Sequence, residues 1–179
     1  ISNLEDKNVK KYTVLIALCL CMLALAACGG GSGDAVSYDT AKENLVNALA
    51  QELKAGGIGE DAFTEETPLP GYAILDVLGE NEFLPVQVDA SSVKQGVVIQ
   101  AMMNVRSDLI VLIEVKDDAG AQRVQEALAD TLASQEQTWS TYLPDQYEKV
   151  QNNVTGRVGN LLYYITSDHP QELEEAIKK

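Results

Sequence analysis

Apolar positions along this chain change their period several times, and each change predicts an element. Ala41, Leu45, Ala48, Leu49 and Leu53 recur at helical spacing until the doublet Gly56-Gly57 ends the run. Thr40 through Glu43 has the form of a capping box, so a first amphipathic helix is expected over 41–54. Residues 58–82 are rich in Glu, Thr, Pro and Gly, and Pro68, Pro70 and Gly71 interrupt any regular element; a connector with a short helix or turn at 72–78 is expected. Strand material follows at 83–88, 97–105 and 109–115. The last two runs are separated only by Arg106-Ser107-Asp108, which suits an antiparallel hairpin. The run LIVLIEV at 109–115 is nearly continuous in apolar residues, as in a central strand covered on both faces, with Glu114 near its end reaching water.

The second half repeats this alternation. A long helix is expected over 119–142, with Val124, Leu128, Leu132, Gln135 and Trp139 as its buried stripe and Asp117 or Asp118 as its cap. Pro144 restarts a shorter helix through Val150. Residues 154–158 and 161–165 read as two strands turning at Gly159-Asn160, and Asp168-His169-Pro170 opens a closing helix with Glu early and Lys late. The order predicts an α+β fold: a largely antiparallel sheet of about four to five strands packed by helices.

The N-terminus follows another pattern. Lys7, Lys10 and Lys11 precede an uncharged apolar run from Thr13 to Ala27, then Cys28 and the tract Gly29 to Gly33. Fifteen helical residues cover roughly 22 Å, short of the ~30 Å hydrocarbon core, so a secretory signal is the better reading than a permanent span. Leu25-Ala26-Ala27-Cys28 resembles the lipobox of bacterial lipoproteins. That resemblance implies cleavage between Ala27 and Cys28, a diacylglycerol on the Cys28 thiol, and a lipid anchor holding the chain to the extracytoplasmic face of the cell membrane. Two or more acyl chains hold a protein firmly where one is marginal. The expected organisation is a signal peptide over 1–27, a lipidated Cys and flexible linker over 28–39, and a single α+β extracytoplasmic domain over 40–179.

Composition narrows the partners. The 179 residues, 46% hydrophobic and 22% charged, suit about one globular domain. With 13 Lys and Arg against 27 Asp and Glu, the net charge of −14 repels a phosphate backbone and excludes nucleic acid as a partner. It also keeps the surface off anionic headgroups, which leaves membrane attachment to the anchor. Cys19 and Cys21 would leave with the signal and Cys28 would be consumed by lipid, so no disulfide, zinc-thiolate site or thiol nucleophile remains.

The chain also resembles a family of short Gram-positive (Firmicutes, clostridial) lipoproteins known only as a domain of unknown function. The residues that carry the likeness are Met102-Met103-Asn104-Val105, Leu112-Ile113-Glu114-Val115-Lys116, Gln135 through Trp139, Tyr142-Leu143-Pro144, and Gly156 through Asn160 with the strand at 161–165. It spans roughly residues 84–178 and departs at Ser107-Asp108-Leu109, where a Glu commonly opens the strand. The resemblance implies address and architecture, with no activity attached.

Candidate chemistry is sparse. Ser91-Ser-Val-Lys94 has the Ser-x-x-Lys spacing of penicillin-binding enzymes, which would make Ser91 a nucleophile and Lys94 its base in a cell-envelope hydrolase. The companion Lys-Thr-Gly and Ser-Asp-Asn motifs are absent. His169, the single histidine, reads as a helix start beside Pro170. Acidic clusters at Glu60-Asp61, Glu65-Glu66, Glu80-Asn81-Glu82 and Asp117-Asp118 raise a calcium-stabilised structural module as an alternative, without the Asp-x-Asp-x-Asp-Gly spacing. Trp139, Tyr142, Tyr147, Tyr163 and Tyr164 read as core and its rim, and Met102-Met103 as core filler. No catalytic residue, cofactor site or metal site is assigned. The expectation is a non-catalytic binding module for an envelope protein or peptide.

Overall fold

A computed structural model of the chain describes residues 36–80 and 83–179. Cys28, the cleavage site at Ala27 and Cys28, the signal peptide and the linker up to residue 35 lie outside the described residues.

Helix α1 runs Tyr38–Ala55, strand β1 Tyr72–Asp76, β2 Val93–Ala101, β3 Leu109–Val115, helix α2 Asp118–Trp139, α3 Pro144–Gln151, β4 Val154–Val158, β5 Leu161–Thr166 and α4 Pro170–Ile177. The strands form one sheet in the order β1-β2-β3-β5-β4, and every pairing is antiparallel. This is the α+β architecture expected from the sequence.

β3 lies at the centre because its residues are apolar on both faces. Ile110 and Leu112 pack with α1 and α4, while Leu109, Val111, Ile113 and Val115 pack with α2. The result is three layers. One core holds Leu45, Leu49, Leu53, Leu173 and Ile177 against the sheet, and the other holds Val124 and Leu128. In α2, Leu132 and Gln135 are only half-buried and Thr131 takes the inner position, donating to the Ala127 carbonyl at 2.8 Å.

Several expectations move. The segment 72–78, expected as a short helix or turn, holds strand β1, and β2 begins at Val93 rather than 97. The segment 83–88 is not a strand: Pro85 removes a ladder donor, and the edge place beside β2 is taken by β1, which enters through Gly71 at φ 83°. Helix α1 begins earlier than the capping box suggested, because Ser37 is the cap: its Oγ accepts from the Thr40 backbone N–H at 3.1 Å. β2 ends at Ala101, so Met102 and Met103 sit in the β2–β3 turn, 72% and 59% exposed, and fill no core. A strand that had continued would have buried them; the turn needed to pair β2 with β3 puts them in solvent.

A polar row at one end of the sheet as candidate functional site

Across an antiparallel sheet, residues directly opposite one another share a face. At the end of the sheet where β1 starts, the register pairs Tyr72 with Ala101, and the Ala101 N–H donates to the Asp108 carbonyl at 3.1 Å. Leu109 pairs with Thr166, so one residue further on Ser167 lies opposite Asp108. Tyr72, Ala101, Asp108 and Ser167 therefore form one row, on the face covered by α1 and α4. The middle of that face is apolar, and its opposite end carries Asp76, Gln95 and Glu114, each at least partly open to water. At this end it carries a phenol, a carboxylate and a hydroxyl, all buried.

The carboxylate is held on two sides. Arg106 donates to Asp108 through Nε at 2.9 Å and Nη2 at 3.2 Å, and its guanidinium lies 5.5 Å from the centre of the Tyr72 ring. Lys149, from α3, reaches both Asp108 oxygens at 3.4 Å and Asp168 Oδ1 at 2.7 Å. The neighbouring Ser107 is tied to the same helix, its N–H donating to Gln146 Oε1 at 2.9 Å. Two anions, Asp108 and Asp168, thus meet two cations, Arg106 and Lys149. Such fork-like and charge-assisted bonds are the geometrically demanding kind.

Glu52 approaches from α1 and has no cation of its own. Its Oε2 is buried without a hydrogen-bond partner, and the same holds for the Tyr72 hydroxyl and Ser167 Oγ; these three are the buried side-chain atoms left unsatisfied among the described residues. Burial raises the Glu52 pKa above the ordinary carboxyl value, the charges of Asp168 and Asp108 add to the rise, and His169 and Lys149 oppose it. Burial, followed by the charge of Asp108, likewise raises the Tyr72 phenol, which stays protonated and lies close to Asp108 short of hydrogen-bond geometry. Unpaired buried polar atoms are costly and uncommon, so their concentration at one end of one face marks this place in the fold.

Glu52 and Asp168 also line a cleft of about 950 Å³ between α1 and α4. Small and apolar residues, Ala48, Ala55, Leu173 and Ala176, share the lining with Glu172 and Glu175. His169 stands at the start of α4, where its carbonyl accepts from the Glu172 and Leu173 N–H groups; the imidazole itself forms no cap, its Nδ1 lying 4.0 Å from Glu172.

The residues singled out in the sequence are engaged elsewhere. Ser91 Oγ donates to Asp89 at 2.7 Å, whereas Lys94 stands in β2 and donates to Glu114 at 2.8 Å, so the one-turn helical geometry that Ser-x-x-Lys chemistry needs is not formed. Glu114 also accepts from Gln95, and these bonds outweigh its burial and lower its pKa. Lys116 donates to the Ala90 and Ser91 carbonyls, and Arg157 to Asp118 and the Gly159 carbonyl. Asp117 caps α2 through the Gly120 N–H, and Glu60 pairs with Lys54. Among the described residues no group of three or more His, Cys, Asp or Glu is placed to hold a metal ion. The aromatics are not one face: Trp139 and Tyr142 have ring centres 5.8 Å apart, while Tyr163 and Tyr164 are buried on opposite sides of β5.

Fold and site together define an antiparallel α+β domain with a polar row closing one end of its α1/α4 face. Residues 86–167 match a family described as a domain of unknown function, DUF4358. That stretch carries Arg106, Asp108, Lys149 and Ser167, and leaves Glu52, Tyr72 and the cleft outside it. No curated protein and no solved structure matches the chain. No described helix is long and apolar enough to cross a membrane.

Proposed function

We propose that this chain is a lipid-anchored extracytoplasmic binding module that takes an envelope protein or peptide through the α1/α4 cleft. The observation that carries the binding reading is the cleft itself, about 950 Å³ in volume and walled by Glu52, whose buried oxygen has no partner in the chain. Ligand sites combine apolar lining with a few convergent polar groups, and this cleft has both. The address rests on Leu25-Ala26-Ala27-Cys28.

Two experiments test the two halves. Cells fed a clickable palmitate analogue should label the chain, and Cys28→Ser should abolish both labelling and membrane fractionation; an unlabelled chain removes the anchor. The detergent-solubilised full chain should capture a specific membrane partner that a charge-reversed Glu52→Lys variant does not. Equal capture by both would move binding away from the cleft.

A further inference from the structure

We propose that β4 is the interface of a homodimer: its free edge pairs antiparallel with β4 of a second copy about a two-fold axis at Gly156, joining two five-stranded sheets into one. The inference goes beyond the binding reading and stands apart from it.

Backbone register makes the first argument. β4 ends the sheet, and the Val115 N–H donates to the Asn160 carbonyl at 2.9 Å, so Leu161, Tyr163 and Ile165 of β5 turn their backbone groups toward β4. They bond Val158, Gly156 and Val154, which leaves the N–H and C=O of Thr155 and Arg157 pointing away from the sheet. Among the described residues these groups have no hydrogen-bond partner. Such an edge is a template for another strand. The opposite edge offers less, because in β1 the Tyr72 N–H donates to the Leu69 carbonyl and the Asp76 carbonyl accepts from the Gly79 N–H.

Self-complementarity makes the second argument and selects a second copy over a foreign strand. Centred on Gly156, the pairing uses every free backbone group and sets Thr155 opposite Arg157 of the second copy, twice over; centred on Arg157, it would set like charges face to face. Gly156 leaves no side chain at the axis, and none fits there, because the Tyr163 phenol lies across the place of a Cβ. Val154 and Val158, half-buried on the α1/α4 face, come opposite one another across the axis. Pairing β4 with β1 of another copy would build an open chain of molecules, whereas the two-fold closes.

Charge makes the third. The chain carries −14, yet the groups at this edge are matched. Arg157 donates to Asp118 at 2.8 Å, and Glu174, which accepts from the Tyr163 hydroxyl at 2.7 Å, meets Lys178 at 3.0 Å. Glu175, 3.8 Å from the same ammonium, lines the α1/α4 cleft instead. Two copies therefore meet at β4 without setting one acidic surface against another, and both clefts lie on one side of the joined sheet.

The test is sedimentation and amide hydrogen exchange of the full chain in detergent at about 150 mM salt, where repulsion is screened beyond roughly 8 Å. A dimer is expected whose population rises with protein concentration. The Thr155 and Arg157 amides should slow in step, while the outward Ile74 amide of β1 stays fast. Thr155→Arg, which adds a cation opposite Arg157 of the other copy, should weaken association by roughly tenfold or more, and Thr155→Glu should tighten it by about threefold or more. Thr155 is exposed, and circular dichroism checks that both variants stay folded. A monomer at every concentration, a dimer whose Thr155 and Arg157 amides remain fast, or equal shifts in the two variants would overturn the assignment. Slowing of those amides in a monomer, gained only on adding a membrane extract, would give the edge to a foreign strand and overturn it too.

Discussion

At the scale of single residues, Asp108 and Glu52 behave as opposites. Asp108 is buried with two cations bound to it, so its removal leaves Arg106 and Lys149 to share the half-exposed Asp168 as their one remaining counter-charge. Breaking a buried pair by deleting one partner costs about 3–5 kcal/mol. Asp108→Ala should lower the urea midpoint accordingly; a loss under about 1 kcal/mol, the worth of an exposed pair, would show the network to be solvated. Glu52 carries the reverse sign. Because its folded pKa is raised, mainly by burial, the folded state binds the proton more tightly than the unfolded chain. Its contribution is therefore unfavourable above that raised value and vanishes as pH falls below the ordinary 4.5. Glu52→Gln should be more stable than the parent at neutral pH, the difference closing as the solution is acidified. Urea melts at neutral and acid pH would show this, and a variant less stable at neutral pH would contradict it.

At the scale of elements, the helix ends show what short-range patterns convey. The cap of α2 was legible to within one residue, Asp117 or Asp118, since an acidic residue before an amphipathic run has few other uses, and the structure seats Asp117 there. For α1 the sequence pointed to Thr40, three residues past the cap Ser37 that the structure shows, and the buried ring of Tyr38 accounts for the earlier start. Starting the helix at Tyr38 places that ring in the core with Leu45 and Leu49, which Thr40 as cap would have left outside. Ser37→Ala should cost about 1 kcal/mol and Thr40→Ala less, measured by thermal melts. The opposite order would restore the later cap. The edge strand was misread for a related reason. Residues 83–88 carry more apolar bulk than 72–76, but hydrogen-bonded register with β2 selects an edge strand, and a proline in mid-run forfeits it.

For the whole molecule, the acidic excess governs behaviour in solution. A net charge of −14 on 179 residues sets like charges against one another, and salt screens that repulsion over about 8–10 Å. Melting temperature should rise as sodium chloride increases from about 10 to 150 mM. A fall would mean that attractive pairs between exposed charges outweigh the self-repulsion. The same excess discourages association with polyanions.

What the amino-acid order determined by itself was local or additive: helix and strand periods, the central place of LIVLIEV, the β2–β3 and β4–β5 hairpins, the charge, and the residues at 25–28 on which an anchor is proposed. These follow from neighbours within a turn or two, where spacing is the physics. The polar row was decided by tertiary structure alone. Arg106-Ser107-Asp108 has the composition of any solvent-exposed turn, and only antiparallel register sets Asp108 between Ala101 and Ser167, brings Tyr72 across the small Ala101, and lowers Glu52 onto them from α1. Those residues are separated by up to more than a hundred positions in the chain. No period along one dimension encodes the moment when five segments close over the same end of a sheet.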